Sequence, residues 1–185
     1  LLARLEGEGT DVALHVVGKK GLGYFKYLGR PIASSRVDVG DAPTAKTAGE
    51  LVDTLMKEFA AGSLDAVYLV YARFVSALSS PPTSQRILPV AAPERKGPSP
   101  DYLLYPSAEA ILEELLPSYV RNAVYRALVE TIAGFYSAQR TAMKNATDNA
   151  GEMLNILRRT YNRARQAQIT QEIAQIVGGS AALEG

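Results

Sequence analysis

The chain has 185 residues, 47% hydrophobic and 21% charged, with a formal net charge of +1; this is the profile of an ordinary soluble protein of one or two domains and makes no case for nucleic acid or an anionic membrane as partner. It has no cysteine and a single histidine, which excludes disulfides, thiolate chemistry and the usual multi-histidine metal site. No apolar run approaches the ~18 residues needed to span a bilayer, and Leu1 to Glu6 does not read as a signal peptide.

In chain order, Val12 to Val17 is a short β-rich run ending at Gly18, with His15 inside it as a structural strand residue. Gly21 to Leu28 fits a short helix closed by Gly29-Arg30-Pro31, and Ile32 to Val39 alternates as a strand. Thr47 to Ala61 carries Leu51, Leu55, Met56 and Phe59 at helical spacing, with Gly62 as its stop. Val67 to Val75 is a buried strand, and Gln85 to Val90 is its hairpin partner across the Ser79-Ser80-Pro81-Pro82 turn. Alternation of this kind predicts an α/β, Rossmann-like layered domain with a mixed, mainly parallel sheet over residues 1–100. Residues 91–100, with three prolines, form its linker.

Residues 101–185 hold a short helix, Ala108 to Leu116, and then a much longer one. Pro117 stands where a proline opens a helix, and Ser118 to Val177 reads as one amphipathic helix of about 60 residues, several times the ~11–12 of a mean globular helix. Gly178-Gly179-Ser180 is its expected stop. Met143, Ala150, Leu157 and Ala164 recur every seven residues, and Ala146, Met153, Thr160, Ala167 and Ala174 fill the alternate spacing. That is a coiled-coil seam. Its many alanines admit a close neighbour but bury little area each, so Leu154, Ile156 and Tyr161 are needed on its flanks. Arg158, Arg159, Arg163 and Arg165 cluster at one level where a simple dimer would interleave acids, which points to an acidic collar.

One loop invites a catalytic reading. Gly18-Lys19-Lys20-Gly21-Leu22-Gly23 follows a strand and precedes a helix, yet it matches neither G-x-x-x-x-G-K-[ST] nor G-x-G-x-x-G in register, and glycines needed for backbone geometry alone explain it better. Glu113-Glu114 lie on a helix surface, and no serine stands in a legible motif with a histidine. No catalytic, cofactor or metal residue is assigned. Three readings stay open on the residues alone: a projecting shaft in a collar, a coiled-coil interaction protein with an α/β domain, and a nucleotide-binding domain using the Gly18 to Gly23 loop.

The C-terminal residues narrow this. Ala142-Met143-Lys144-Asn145-Ala146-Thr147-Asp148-Asn149-Ala150-Gly151, followed by Tyr161-Asn162-Arg163-Ala164-Arg165-Gln166-Ala167-Gln168-Ile169-Thr170-Gln171-Glu172-Ile173, resembles the signature of the gamma subunit of F-type ATP synthases, whose N-x-x-R-Q-x-x-I-T-x-E-[IL] portion is highly specific. Gly178 to Leu183 resembles that family's small-residue tail, Asp101 to Pro106 its D-Y-[LI]-[YF]-E-P segment, and Phe74 to Pro89 its hairpin ending in L-L-P. The resemblance covers essentially the whole chain. Two departures stand out. The family's N-terminal helix and first strand precede what is seen here, and its S-E-x-A-A-R-M is replaced by Gly134-Phe135-Tyr136-Ser137-Ala138-Gln139-Arg140, with Phe135 and Gln139 at the Glu and Arg positions.

The resemblance implies a non-catalytic central shaft that couples proton translocation through the membrane ring to ATP synthesis or hydrolysis in the head. Implied partners are the alpha and beta subunits of the head, the epsilon subunit and the membrane c-ring, with no cofactor and no nucleic acid. The implied place is peripheral, held to the membrane only through the complex, on the cytoplasmic face of the bacterial plasma membrane or the equivalent organellar membrane. Head contacts carried over are Arg163, Arg165, Gln166, Ile169, Thr170, Glu172, Ile173 and Val177. Tyr102, Leu103 and Leu104 would face epsilon or the ring. Met143, Ala146, Ala150, Met153, Leu157 and Ala164 would lack the family's partner helix, so that stretch is expected to be frayed, self-associated or held by other chains.

Overall fold

A computed structural model describes residues 1–91, 105 and 107–183, with the helix alone given for 181–183. Most of the expected linker, and Tyr102, Leu103 and Leu104, lie outside the described residues. The chain divides into two units, Leu1–Ser137 and Ala138–Gly185. It is a mixed α/β protein with a small parallel pair, a small antiparallel pair and a long C-terminal helix.

In the first unit, helix α1 (Leu2–Gly7) is followed by strand β1 (His15–Val17), helix α2 (Lys19–Tyr27) and strand β2 (Ser34–Arg36). β1 and β2 pair in parallel, His15 opposite Ser34 and Val17 opposite Arg36. Backbone bonds from Gly18 N–H to the Arg36 carbonyl, 2.8 Å, and from Ala33 N–H to the Leu14 carbonyl, 2.9 Å, extend that ladder at both ends. Arg36 then reaches from β2 to Glu50 on the next helix, 3.0 Å, and to Asp38, 2.9 Å.

Helix α3 (Ala45–Ala60) starts two residues before the expected Thr47 because Thr44 caps it. The Thr47 N–H donates to the Thr44 hydroxyl at 3.2 Å, and the Thr47 side chain covers the Thr44 N–H in return, a capping box built from two threonines. Gly62 closes it at φ +75°, a conformation that suits glycine past a helix end. Strands β3 (Val67–Ala72) and β4 (Pro82–Leu88) form the expected antiparallel hairpin, Tyr71 opposite Thr83 and Val67 opposite Leu88.

The core lies between α3, this hairpin and the start of helix α4 (Ala108–Leu183). Ala48 and Val52 from α3, Ile87 and Leu88 from β4, and Val120 and Val124 from α4 are buried together, with Leu51, Met56, Phe59, Val67 and Leu69 packed around them. The start of α4 therefore belongs to the α/β unit, and an Arg121–Asp53 fork at 2.7 and 3.1 Å ties it to α3.

Two boundaries of α4 differ from expectation. The short helix and the long one are continuous, with Pro117 inside. Ser107 opens the helix by accepting the Ala110 N–H at 3.2 Å, and the apolar periodicity runs through the proline into the buried Val120 and Val124, which offsets the ladder bond a proline removes. Nor do Gly178 and Gly179 stop the helix. Neither takes a positive φ, and the helix continues through Leu183.

Candidate functional site

The Gly18 to Gly23 turn has the geometry of a backbone device. Gly18 sits at φ +104°, which L-residues rarely adopt, and a Cβ on Gly21 would stand 3.1 Å from the Val16 side chain. Glycines here let α2 turn back tightly on β1. His15 hydrogen-bonds through Nδ1 to the hydroxyl of its cross-strand partner Ser34 at 2.6 Å, as a strand residue should. Among the described residues no cluster of histidine, cysteine or carboxylate groups could hold a metal ion, and no helix is long and apolar enough to cross a membrane.

The surface that remains to be explained is the second unit's stretch of α4. Every described residue from Ala142 to Ser180 is exposed, including Met143 at 63%, Met153 at 65% and Leu157 at 59%. The expectation of a frayed stretch is not met, since the helix is continuous. Met143, Ala146, Ala150, Met153, Leu157 and Ala164 follow a three-four spacing and form one line along the helix.

The residues carried over as head contacts lie beside that line. At 3.6 residues per turn, Arg165, Ile169, Glu172 and Ile173 share one face, and Arg163, Gln166, Thr170 and Val177 share the next. Gln171 occupies the heptad position after Ala164, so the apolar seam ends there. Ile169, Ile173 and Ile176 then begin a separate apolar stripe, roughly a third of a turn around the axis. One helix thus carries two exposed, separately patterned faces.

Charge sharpens the second face. Between Glu152 and Glu172 there are four arginines and no acid, and among the described residues no carboxylate pairs with Arg158, Arg163 or Arg165. The polar groups nearby are satisfied within the helix: the Thr170 hydroxyl donates to the Gln166 carbonyl at 2.9 Å, and the Gln168 amide to Glu172 at 3.1 Å. An unpaired row of guanidiniums offers forked, charge-assisted bonds to carboxylates on another chain.

One set of tertiary contacts has no counterpart in the sequence patterns. Glu130, Gly134 and Ser137, at i, i+4 and i+7 on α4, each meet the turn between β3 and β4. The Phe74 N–H donates to Glu130 at 3.1 Å, the Ser137 hydroxyl donates to the Ala77 carbonyl at 2.9 Å, and a Cβ on Gly134 would lie 2.7 Å from the Ser80 hydroxyl. The only sequence signal is a glycine inside a strongly helical run.

A fold of this kind, a small α/β unit from which one helix carries exposed and separately patterned faces, defines a scaffold that works through other chains. The comparisons give the family. The chain belongs to the ATP synthase family, whose model matches residues 1–183, and within it to the gamma chains. It is 64% identical over 187 residues to the ATP synthase gamma chain of Gemmatimonas aurantiaca, covering all of this chain and 64% of that protein. It is 45% identical to the gamma chain of Desulforamulus reducens, covering all of this chain and 67% of that protein. The chain therefore spans about two thirds of the length of these relatives. Among solved structures, it resembles a chain of the central stalk and c-ring of Tetrahymena thermophila mitochondrial ATP synthase, with a TM-score of 0.59 at 23% identity over 79% of this chain and 66% of that one. A chain of the Euglena gracilis mitochondrial enzyme matches 98% of this chain and 66% of its own length, with a TM-score of 0.55 at 20% identity. These two likenesses concern the fold.

Proposed function

We propose that this sequence forms the non-catalytic rotary shaft of an ATP synthase, coupling proton movement through a membrane ring to ATP synthesis or hydrolysis in the head. The observation that carries this reading is the division of α4 into two exposed faces. The Met143 to Ala164 line suits a second helix laid along it. The Arg163 to Val177 faces, with unpaired guanidiniums and then an isoleucine stripe, suit a surrounding collar of acidic and apolar surfaces supplied by alpha and beta subunits. Identity of 64% to a relative named as a gamma chain supports the same role.

In this role Arg163, Arg165, Gln166, Ile169, Thr170, Glu172, Ile173 and Val177 contact the head, and Tyr102, Leu103 and Leu104 contact epsilon or the c-ring. The protein is peripheral, held on the cytoplasmic face of a bacterial plasma membrane, or the organellar equivalent, through its complex. Nothing in this role requires the chain to bind nucleotide itself.

The test is Arg165→Ala in a reconstituted complex containing a complete gamma chain. Each charge-assisted bond from that guanidinium is worth about 1.5–3 kcal/mol, so ATP turnover or its coupling to proton transport should fall by about tenfold or more. The α/β unit should keep its melting temperature, because distant sites act independently. Unchanged turnover and coupling with assembly confirmed would remove the contact role of Arg165.

A further inference from the structure

We propose that residues 130–137 of α4, gripped by the β3–β4 turn, are the clamp through which torque passes between helix and α/β unit. This inference rests on the shaft reading above.

A helix held only by apolar packing can slip about its own axis, since such contacts carry no direction. Val120, Val124 and Ala127 provide that kind of contact, and the Arg121–Asp53 fork adds one directional tie beside them. The residues that follow provide another. Glu130, Gly134 and Ser137 line one face and engage Phe74, Ser80 and Ala77 of the turn. Phe135 and Tyr136 leave the helix on its other sides, their rings edge to face at 5.4 Å. Lys20 of α2 stands 6.0 Å from the Phe135 ring centroid. The Asp41 carboxylate, in the loop after β2, raises the pKa of the Tyr136 hydroxyl above the ordinary phenol value. The β3–β4 turn thus holds about two turns of helix along one face, through side chains acting several ångströms off the axis.

The chain's counterpart of the family's S-E-x-A-A-R-M reads Gly134-Phe135-Tyr136-Ser137-Ala138-Gln139-Arg140. Gly134 is buried, and any side chain there, serine included, would drive Ser80 away. Ser137 supplies a hydroxyl that an alanine lacks.

The experiment uses a reconstituted complex with a complete gamma chain bearing Gly134→Ala, alone and with Ser80→Gly. It reads amide exchange across residues 73–81 and protons pumped per ATP hydrolysed. Gly134→Ala should raise exchange in the turn by about tenfold, as loss of a local hydrogen-bonded cluster does, and lower the pumping ratio severalfold. Ser80→Gly, which reopens the space, should restore both. Ser137→Ala removes the bond to the Ala77 carbonyl without overlap and should shift both readouts in the same direction by less, so a misfolded Gly134→Ala chain does not shield the idea. A freed turn with an unchanged pumping ratio would overturn the clamp while leaving the shaft intact, and so would a turn that stays protected. If Arg165→Ala and the clamp variants all leave turnover and pumping unchanged with assembly confirmed, the shaft reading itself fails.

Discussion

The two stretches of α4, 108–137 and 138–183, are one helix by backbone and two by chemistry. In the first, Val120 and Val124 are 1% and 5% exposed, enclosed by α3 and β4; in the second, Met143 and Leu157 are about as exposed as side chains on an isolated helix. Both stretches carry apolar residues at helical spacing. Periodicity therefore tells that a face will be covered, and only the chain's remaining residues decide whether the cover is its own. A heptad seam bare over three heptads, about six turns, has the pattern of a face that another helix covers.

The largest effect that would break this comparison is a buried charge. Val120→Asp places a carboxylate in the α3–β4–α4 core without a partner and should cost at least about 3 kcal/mol, seen as a large fall in the unfolding midpoint of the chain. Leu157→Asp on the exposed line should change that midpoint by no more than about 0.5 kcal/mol, yet abolish incorporation into an ATP synthase complex. A Leu157→Asp chain that assembles normally would mean that nothing packs on the seam.

Two glycines in the same helix sharpen the contrast further. Gly134 is enclosed by Ser80, whereas a Cβ at Gly151 meets nothing within 4 Å. Gly134→Ala should destabilise the α/β unit by about 1–3 kcal/mol through overpacking. Gly151→Ala should stabilise its stretch by roughly 0.5–1 kcal/mol through helix propensity. Opposite signs are the expected result by thermal unfolding and helix circular dichroism, and the same sign for both would contradict the assignment of cover.

How much of this was legible follows the range of the interactions. Local signals served well: the Leu51, Leu55, Met56 and Phe59 spacing marks α3, and the two β-rich runs around Ser79 to Pro82 mark the hairpin. They lost precision at ends. Thr44 and Thr47 cap α3 through a pair of hydroxyls where a threonine–glutamate pair is the familiar sign, and a proline and two glycines inside α4 are overridden by what flanks them. Residues far apart in sequence carried no signal. Glu130 meets Phe74 56 positions away, and only folding brings them together. The seam and the arginine cluster were plain in the sequence because both follow the local spacing of a single helix.

The smallest expected effect is a pH dependence confined to the clamp. Glu130 is held below the ordinary carboxylate value of about 4.5, first by its hydrogen bond from Arg126 and then by the Phe74 N–H, against the opposing effect of partial burial. A depressed carboxylate stabilises the fold above the unfolded pKa, and that contribution is lost as pH falls through the folded one. Protection factors at Phe74 and along the turn should therefore be level between about pH 6 and 8 and decline as pH drops below about 4.5. Glu6 and Asp38 are likewise held low by Arg30 and Arg36, so global unfolding also shifts in acid. The local readout separates the two. Glu130→Gln keeps an acceptor for the Phe74 N–H but cannot titrate, so its turn should be less protected at neutral pH and should lose no more in acid than the rest of the α/β unit. A Glu130→Gln turn that retains the full acid response would assign that response to other carboxylates and leave Glu130 as an acceptor alone.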